Sequence, residues 1–333
     1  MQLYQYNVYT PETFSASGKA KKDVSQIFKE MDIGDIYMPS RHRIIRILQQ
    51  SAAVLKHHRD AVIFIQYPAV IDGFIKAMRR KSGVTLVGIL HDISCIRGES
   101  TPQAEMEVLN CFDWLISHNP SMTGFLRQNG YRGNVVDLGI FDYLHDPQRP
   151  TMPAEPGNTV CFAGNLDKSA FLPALGTLSD LRFLLYGVNH LNTVRELPNA
   201  DYRGMIPSDE IPYQLEGSFG LVWDGERIDG CSGILGNYLR YNNPHKLSLY
   251  ISAGKPVVVW NKAAVAPFVR QHQIGLTVDS LGDAQQQINS LRPDVYQNMV
   301  EHVYSLKQQL AQGHFMKTAL QTVIKQLETE QYE

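Results

Sequence analysis

Several classes of protein are excluded by what this sequence lacks. Its 333 residues include only four cysteines, which is too few for a disulfide framework in a chain of this length. None of them forms a CxxC pair, so we expect no structural zinc site. The longest apolar stretches, such as residues 61–65 and 84–90, fall far short of the ~20 residues that a membrane span needs. The first residues contain neither the basic nor the apolar region of a signal peptide.

The chain also lacks a strong charge of either sign. It carries 31 Lys+Arg against 33 Asp+Glu, and this balance of −2 argues against a dedicated nucleic-acid binder. The apolar fraction of 44% is sufficient for well-packed cores. At about 100–200 residues per domain, the length suggests two domains. We therefore expect a cytoplasmic, two-domain protein, most simply an enzyme.

The charge is distributed unevenly along the chain. Residues 1–152 carry 17 basic and 15 acidic side chains, whereas residues 153–333 carry 14 and 18. Nine basic residues lie between Tyr37 and His91, opposed only by Asp60 and Asp72. The nine are Arg41, Arg43, Arg46, Lys56, Arg59, Lys76, Arg79, Arg80 and Lys81. They form either ordinary solvated helix faces or a patch for anionic lipid headgroups or a phosphorylated acceptor, with peripheral membrane contact at most.

Short β-branched runs alternate with helical stretches throughout the chain. In the first half we predict strands at 3–8, 61–65, 84–90 and 114–117, with helices at 19–31, 41–57, 71–81 and 102–111. In the second half we predict strands at 159–162, 182–186, 220–223, 256–260 and 275–278. Helices are predicted there at 168–175, 207–215, 244–253, 263–271, 281–289, 294–312 and 314–331. This alternation is typical of βαβ units with parallel sheets.

A proline-rich stretch interrupts the alternation at residues 143–158. It holds four prolines within ten residues, which neither a helix nor a central strand accommodates. We therefore predict an N-terminal domain at 1–150 and a second domain at 151–312. A helical segment at 313–333 is expected to pack back on the N-terminal domain. Ligands of open parallel sheets bind at the carboxyl ends of the strands, so the loops there are the places to seek chemistry.

The strongest local signal is Tyr-Asn-Asn-Pro-His-Lys, residues 241–246. Asn243 suits a helix N-cap and Pro244 the first helical position. The N–H groups and dipole of a helix N-terminus favour an anion such as phosphate. Lys246 in the first turn opposes that dipole, and a bound anion would explain its presence. The alternative is an ordinary capped helix with an exposed lysine.

Weaker signals follow other strands. Ala163-Gly164-Asn165 forms a strand-to-helix turn that lets a ligand approach the backbone, with Lys168 nearby. A long polar loop contains Asp224 and Glu226, but two carboxylates alone under-specify a metal site. We therefore expect no metal.

In the first half, His91-Asp92 ends a predicted strand, where either side chain could act as a general base. A structural turn with a hydrogen-bonded histidine is the alternative. Ser17 and Gly18 follow the first strand and open the first helix, so we expect them at the same edge.

Residues 219–260 carry a family resemblance. The runs Phe-Gly-Leu-Val-Trp-Asp-Gly, Cys-Ser-Gly and Asn-Asn-Pro-His-Lys-Leu-Ser-Leu-Tyr-Ile-Ser-Ala-Gly-Lys-Pro-Val-Val-Val-Trp resemble bacterial β-1,6-galactofuranosyltransferases of O-antigen synthesis. They are similar, more distantly, to the glucosyltransferases that extend glycans on serine-rich streptococcal adhesins. The resemblance continues through residues 91–98, 116–123, 140–144 and 163–166, and so covers most of the chain in order.

The resemblance implies a GT-B architecture, in which two Rossmann-like domains face each other across a deep cleft, and transfer without a bound metal or other cofactor. By position, the donor-binding residues would be Lys246 and Lys168 on the diphosphate, Gly164 and Asn165 along its approach, Asn242 and Asn243 as further donors, and Ile206 beside the uracil. Ser17, Gly18 and Arg97 would lie on the acceptor side.

Many GT-B enzymes bind the ribose hydroxyls through a glutamate at this position of the motif, which is Leu249 in this chain. Asp224 and the loop at 231–233 are the alternatives for binding the ribose.

We therefore predict an inverting transfer of galactofuranose from UDP-galactofuranose to a sugar hydroxyl of a lipid-linked glycan. His91 or Asp92 would be the base. A UDP-glucose-dependent glucosyltransferase acting on a glycoprotein glycan is the first alternative, and a non-catalytic nucleotide-sugar-binding partner is the second. We expect a homo-oligomer that binds no nucleic acid and lies in the cytoplasm, with peripheral contact at the inner face of the membrane.

Overall fold

The computed structural model divides the chain into two compact units. It describes residues 1–6, 16–36, 42, 45, 48–49, 52, 60–68, 72–80, 83–191 and 197–330. Unit 1 comprises residues 1–12, 20–139 and 315–333, and unit 2 comprises residues 13–19 and 140–314. Most of the predicted helix at 41–57, with its basic side chains, lies outside the described residues.

Unit 1 is built on a six-stranded parallel sheet. Its strands are β1 (Gln2–Tyr6), β2 (Gly34–Asp35), β3 (Ala61–Tyr67), β4 (Val84–Leu90), β5 (Trp114–Ser117) and β6 (Asn134–Asp137), in the order β2-β1-β3-β4-β5-β6. All seven residues of β3 are buried, and six of the seven in β4. Both strands are nearly continuous apolar runs, as strands covered on both faces require.

Four helices precede residue 140, namely α1 (Ala16–Glu30), α2 (Asp72–Arg79), α3 (Pro102–Leu109) and α4 (Pro120–Gln128), counted over the described residues. Of these, α3 and α4 begin at polar caps. Thr101 accepts a hydrogen bond from the Ala104 N–H, and Asn119 accepts from Ser121 and Met122. Proline follows each cap, where its missing N–H costs nothing.

Unit 2 repeats this architecture with its own parallel sheet. Its strands are β7 (Thr159–Ala163), β8 (Arg182–Tyr186), β9 (Ala200–Gly204), β10 (Phe219–Val222), β11 (Val257–Trp260) and β12 (Gly275–Val278), in the order β12-β11-β10-β7-β8-β9. The strand order reverses between β7 and β10. In doubly wound sheets this switch point is where ligands bind.

Helices surround the second sheet. They are α5 (Ile211–Gln214), α6 (Gly233–Tyr238), α7 (His245–Ser252), α8 (Ala266–His272), α9 (Leu281–Ser290) and α10 (Pro293–Ala311); the last helix, α11 (His314–Glu330), lies almost wholly in unit 1. Within the described ranges, no helix is both long enough and apolar enough to cross a bilayer.

The predicted α/β class with two parallel sheets is confirmed, but two local predictions are wrong. The helix expected at 168–175 is replaced by short 3₁₀ turns at Leu166–Lys168 and Leu172–Thr177. Pro173 explains the difference, because inside a helix it lacks an N–H and clashes with the preceding turn. The N-cap of α7 is Pro244 rather than Asn243, and the helix starts at His245.

Three strands of the structure, β2, β6 and β9, were not predicted from the sequence. β2 has two residues, and β6 and β9 are edge strands of mostly half-exposed side chains. The proline-rich stretch packs within unit 2, where the fully buried Lys255 donates to the Met152 and Pro153 carbonyls at 3.1 and 2.6 Å.

Candidate active site

A cavity of about 350 Å³ opens in unit 2 at the carboxyl ends of β7 and β8. Its wall contains Gly164 and Asn165 after β7, Gly187 after β8, Ile206 after β9, and Lys246 in the first turn of α7. Four residues predicted to bind the donor, Gly164, Asn165, Ile206 and Lys246, therefore meet at one cavity. The cavity borders the first strand of the unit, close to the point where the strand order reverses.

Lys246 contacts three groups that lie on β7 or just after β10. Its Nζ lies 3.4 Å from the Trp223 carbonyl oxygen and 3.4 Å from Oδ2 of Asp224, just after β10. The ammonium also lies 4.7 Å from the ring centroid of Phe162, a cation–π contact. The side chain remains 19% exposed. A partly desolvated but reachable ammonium beside a helix N-terminus is suited to an anionic ligand.

Two glycines make room for this arrangement. A Cβ atom on Gly164 would lie 3.1 Å from Cε of Lys246. Gly187 has a φ of +124°, and a Cβ there would lie 1.8 Å from the Gly164 carbonyl oxygen. The start of the loop is fixed by Tyr250, whose buried hydroxyl accepts a hydrogen bond from the Ala163 N–H at 2.8 Å. The backbone at Gly164 can therefore approach Lys246 closely because neither Gly164 nor Gly187 carries a side chain.

Another part of the cavity wall is aromatic. The rings of Tyr143 and His245 stack with centroids 5.0 Å apart, and the Tyr143 hydroxyl donates to the Ser208 carbonyl at 2.5 Å. Burial, and then the positive charge of Lys19, lowers the pKa of His245 to about 3. His245 is therefore neutral at physiological pH, and its ring contributes a flat surface rather than a second cation.

Leu249 lines the cavity at the position where the resemblance expects a glutamate. The cavity wall is apolar at this point. The carboxylate nearest to Lys246 is that of Asp224, which lies beyond the cavity-lining residues and contacts the lysine instead.

Three further residues predicted to bind the donor do not line this cavity. Lys168 ends a 3₁₀ turn and is exposed, whereas Asn243 is buried and Asn242 half-buried in the segment before α7. Their contribution to donor binding stays a prediction.

In unit 1, His91 and Asp92 follow β4 as predicted. Nε2 of His91 lies 2.8 Å from Oε1 of Gln66, and the Gln66 amide nitrogen donates to the Lys21 carbonyl and to Oγ of Ser25. Because both of those contacts need the amide N–H groups, Oε1 is an acceptor and His91 Nε2 must be the donor. The ring is therefore fixed in one tautomer, with the Nε2 proton already engaged.

Asp92 has a different environment. Its Oδ2 lies 3.0 Å from Nη1 of Arg97, and Nε of the same arginine lies 3.1 Å from Oε1 of Glu99. The Asp92 side chain is 30% exposed. Lys21 is near enough to interact: burial lowers the pKa of Lys21, and the Asp92 carboxylate opposes that shift. Asp92 is thus an accessible carboxylate among cations.

Two residues predicted on the acceptor side lie at the start of α1. Gly18 is in the first turn of this helix and belongs to unit 2, and the side chain of Ser17 lies outside the described residues. Of the basic stretch, Lys76 and Arg79 pair with Glu107 and Asp113, at 3.9 and 2.5 Å. In the part of the chain that the structure describes, no three His, Cys, Asp or Glu side chains are grouped to hold a metal ion.

Two family models match the chain. The N-terminal domain of glucosyltransferase 3-like proteins matches residues 3–140, and the C-terminal domain matches residues 160–323. The chain belongs to the glucosyltransferase 3-like family. It is 31% identical over 328 residues to β-1,6-galactofuranosyltransferase WbbI of Escherichia coli K12, covering 94% of this chain and 96% of the relative. It is also 31% identical to glucosyltransferase 3 of Streptococcus gordonii, covering 96% and 97%.

Two solved structures have the same fold as this chain. The lipopolysaccharide outer core galactosyltransferase WaaB matches with a TM-score of 0.61 at 9% identity, over 98% of this chain and all of that one. Anabaena HepE, solved with UDP and glucose, matches with a TM-score of 0.60 at 13% identity, over 99% of this chain and all of that one. The protein is a glycosyltransferase with two Rossmann-like units of the GT-B type.

Sequence reasoning missed several residues that build these sites. Gln66 is the clearest case, because it is the one amide within the otherwise apolar run of β3, and that contrast was a usable signal. Tyr143 was noted only at the edge of the linker and within the family resemblance, and Tyr250 only as part of a helical motif, so neither was given a role in the site. Their roles depend on contacts with Ser208 and Ala163, distant in sequence.

Proposed function

We propose that this glycosyltransferase is an inverting enzyme that moves galactofuranose from UDP-galactofuranose to a sugar hydroxyl of a lipid-linked glycan. The observation that carries the proposal is the cavity in which Lys246 and the first turn of α7 adjoin the glycine loop after β7. The choice of galactofuranose is supported by the identity to WbbI over nearly the whole of both chains.

The diphosphate of the donor would lie against Lys246 and the N-terminus of α7. Both supply positive charge at one place, so no divalent metal is needed there. We assign the uracil to the part of the cavity lined by Gly187 and Ile206. The glycine backbone at Gly164 would then lie beside the phosphates, where a side chain would obstruct them.

The reaction is a single displacement at the anomeric carbon. Asp92 takes the proton of the acceptor hydroxyl as its oxygen bonds to C1 of the sugar, and the bond from C1 to the UDP oxygen breaks. A base of this kind contributes about 10²–10⁴-fold to the rate. Lys246 stabilises the negative charge that develops on departing UDP. We assign the base to Asp92 because its carboxylate is 30% exposed and can meet an acceptor hydroxyl, whereas the His91 ring is buried against Gln66.

A second candidate function is transfer of glucose from UDP-glucose to a glycoprotein glycan. It is favoured by the equal identity, 31%, to glucosyltransferase 3 of Streptococcus gordonii. The two functions require the same nucleotide and diphosphate contacts. They differ in the sugar and the acceptor.

We also propose that the enzyme works as a homo-oligomer at a membrane surface, since a lipid-linked acceptor is confined there. The basic stretch from Arg41 to Lys81 supports this contact through attraction to anionic headgroups. Co-sedimentation with vesicles of anionic and of neutral lipid tests the contact, and light scattering tests the oligomer. Equal binding to both vesicle types would count against the electrostatic attraction.

The test of the function is a donor panel. Purified protein would be incubated with UDP-galactofuranose, UDP-galactose, UDP-glucose and UDP-N-acetylglucosamine, each with glycan-lipid and glycopeptide acceptors, with and without EDTA. We expect UDP release with UDP-galactofuranose and the glycan-lipid, unchanged by EDTA. Turnover of UDP-glucose on the glycopeptide would establish the second function instead. Binding of UDP with no turnover of any donor would indicate a non-catalytic partner.

A further inference from the structure

Asp224 lies in an unexpected place for an acidic residue. Its Oδ2 is 3.4 Å from Nζ of Lys246, the cation assigned to the donor diphosphate. The Gly225 N–H donates to Oδ1 at 3.0 Å. Gly225 has a φ of +103°, and a Cβ atom there would lie 2.2 Å from the Ser232 carbonyl oxygen. This glycine turn holds the carboxylate beside the lysine.

A carboxylate so close to a phosphate-binding lysine opposes the binding of a dianionic ligand. Like charges a few ångströms apart repel each other, and the carboxylate competes with the phosphates for the same ammonium. The Lys246 and Asp224 side chains are 19% and 29% exposed, so an entering ligand can reach the pair and separate it. The remaining contacts of the ammonium, the Phe162 ring and the Trp223 carbonyl, do not depend on Asp224.

We propose that Asp224 is the resting counter-ion of Lys246, which the donor diphosphate displaces on entry and which recaptures the lysine when UDP leaves. The proposal rests on the assignment of Lys246 to the diphosphate. Asp224 is then a positioning residue, since it acts through Lys246 and does not contact the nucleotide. It balances the charge of the lysine when the site is empty, and it weakens the binding of the UDP product.

This role makes the opposite prediction from a ribose ligand. A carboxylate that bound the ribose hydroxyls would strengthen the binding of both uridine and UDP. A counter-ion of Lys246 weakens the binding of UDP and has no effect on uridine, which carries no phosphate. The sign of the effect on UDP and the comparison with uridine therefore separate the two roles.

The experiment measures dissociation constants of UDP and uridine by calorimetry for the wild type, Asp224→Asn, Lys246→Met and the double variant. Asp229→Asn is the matched control, because Asp229 is in the same loop but pairs with Arg227, away from Lys246. We expect Asp224→Asn to bind UDP about fivefold more tightly, the effect of an exposed ion pair. Uridine binding should not change, and Asp229→Asn should match the wild type for both ligands.

The double variant shows whether the effect passes through the lysine. In the Lys246→Met background, Asp224→Asn should tighten UDP by less than half as much, since the group it competes for is gone. Weaker binding of both ligands to Asp224→Asn would establish a ribose contact and overturn the proposal. Unchanged UDP binding in Asp224→Asn would also overturn it. Unchanged UDP binding in Lys246→Met is a different result, because it removes the diphosphate assignment itself.

Discussion

The closeness of Gly164 to Lys246 yields a sharp prediction from a single added methyl group. In Gly164→Ala the new Cβ would lie 3.1 Å from Cε and 3.7 Å from Nζ of Lys246. The first distance is too short for a carbon–carbon contact, so the lysine must shift by a few tenths of an ångström. No other nearby atom would have to move, because the third contact, with the Phe162 ring, is at an ordinary 3.7 Å.

The size of the effect follows from what the shift disturbs. A charge-assisted hydrogen bond contributes about 1.5–3 kcal/mol. Losing about half of one costs roughly 1 kcal/mol, and the dissociation constant of UDP should rise about fivefold, since 1.4 kcal/mol is tenfold. The fold should be unaffected, because the methyl group points at the end of a flexible side chain.

Calorimetric titration of UDP into Gly164→Ala measures this effect, with Gly124→Ala as the matched control. Gly124 lies in α4, and a Cβ atom there would have no other atom within 4 Å. The Gly124→Ala protein should be about 0.5–1 kcal/mol more stable than the wild type, with UDP binding unchanged. Normal UDP affinity in Gly164→Ala would refute the placement of the phosphates beside Lys246. If both substitutions weakened UDP binding equally, the effect of alanine would come from a change in the fold and not from the contact with Lys246.

Three further predictions follow from single residues. Asp92→Asn should lower kcat by about 10²–10⁴-fold and leave UDP affinity unchanged, because a base acts only in the transition state; a mere rise in KM would remove it as the base. Burial lowers the pKa of His118 to about 4, so the unfolded chain binds more protons between pH 6.5 and 4. The free energy of unfolding should therefore fall as the pH is lowered through this range. His118→Gln should reduce the dependence of that free energy on pH by up to about 1.4 kcal/mol per pH unit; an unchanged pH dependence in urea titrations would contradict this. Burial raises the pKa of Cys161 and Cys231 to about 12 and of Cys95 to about 11, so iodoacetamide at pH 8 should label them far more slowly in the folded than in the urea-unfolded protein; equal rates would refute it.

The fold was largely predictable because its central strands are extreme in composition. The runs that became β3 and β4 are apolar over almost their whole length, and a strand covered on both faces has no other pattern. Edge strands such as β9 carry Asp201, Tyr202 and Arg203 on a half-exposed surface and resemble loops in sequence. Their strand character comes from pairing with a neighbour.

The site was predictable to the extent that its residues are local in sequence. Lys246 at the start of a helix and Gly164 after a strand were both found from adjacent residues. The Lys246–Asp224 pair, the Gln66–His91 hydrogen bond and the support of Ala163 by Tyr250 join positions 22, 25 and 87 residues apart. Such contacts depend on strand order and register, which composition and periodicity do not determine.

Inverting transfer of galactofuranose can be followed by NMR of a running reaction. UDP-galactofuranose and a glycan acceptor would be mixed with the enzyme while the anomeric proton and carbon signals are followed. We predict that the donor signals decline as a galactofuranoside appears whose anomeric configuration is opposite to that of the donor. A product with retained configuration would contradict the single displacement. If UDP-galactofuranose is not consumed while UDP-glucose turns over rapidly in a parallel reaction, the assignment of galactofuranose is contradicted.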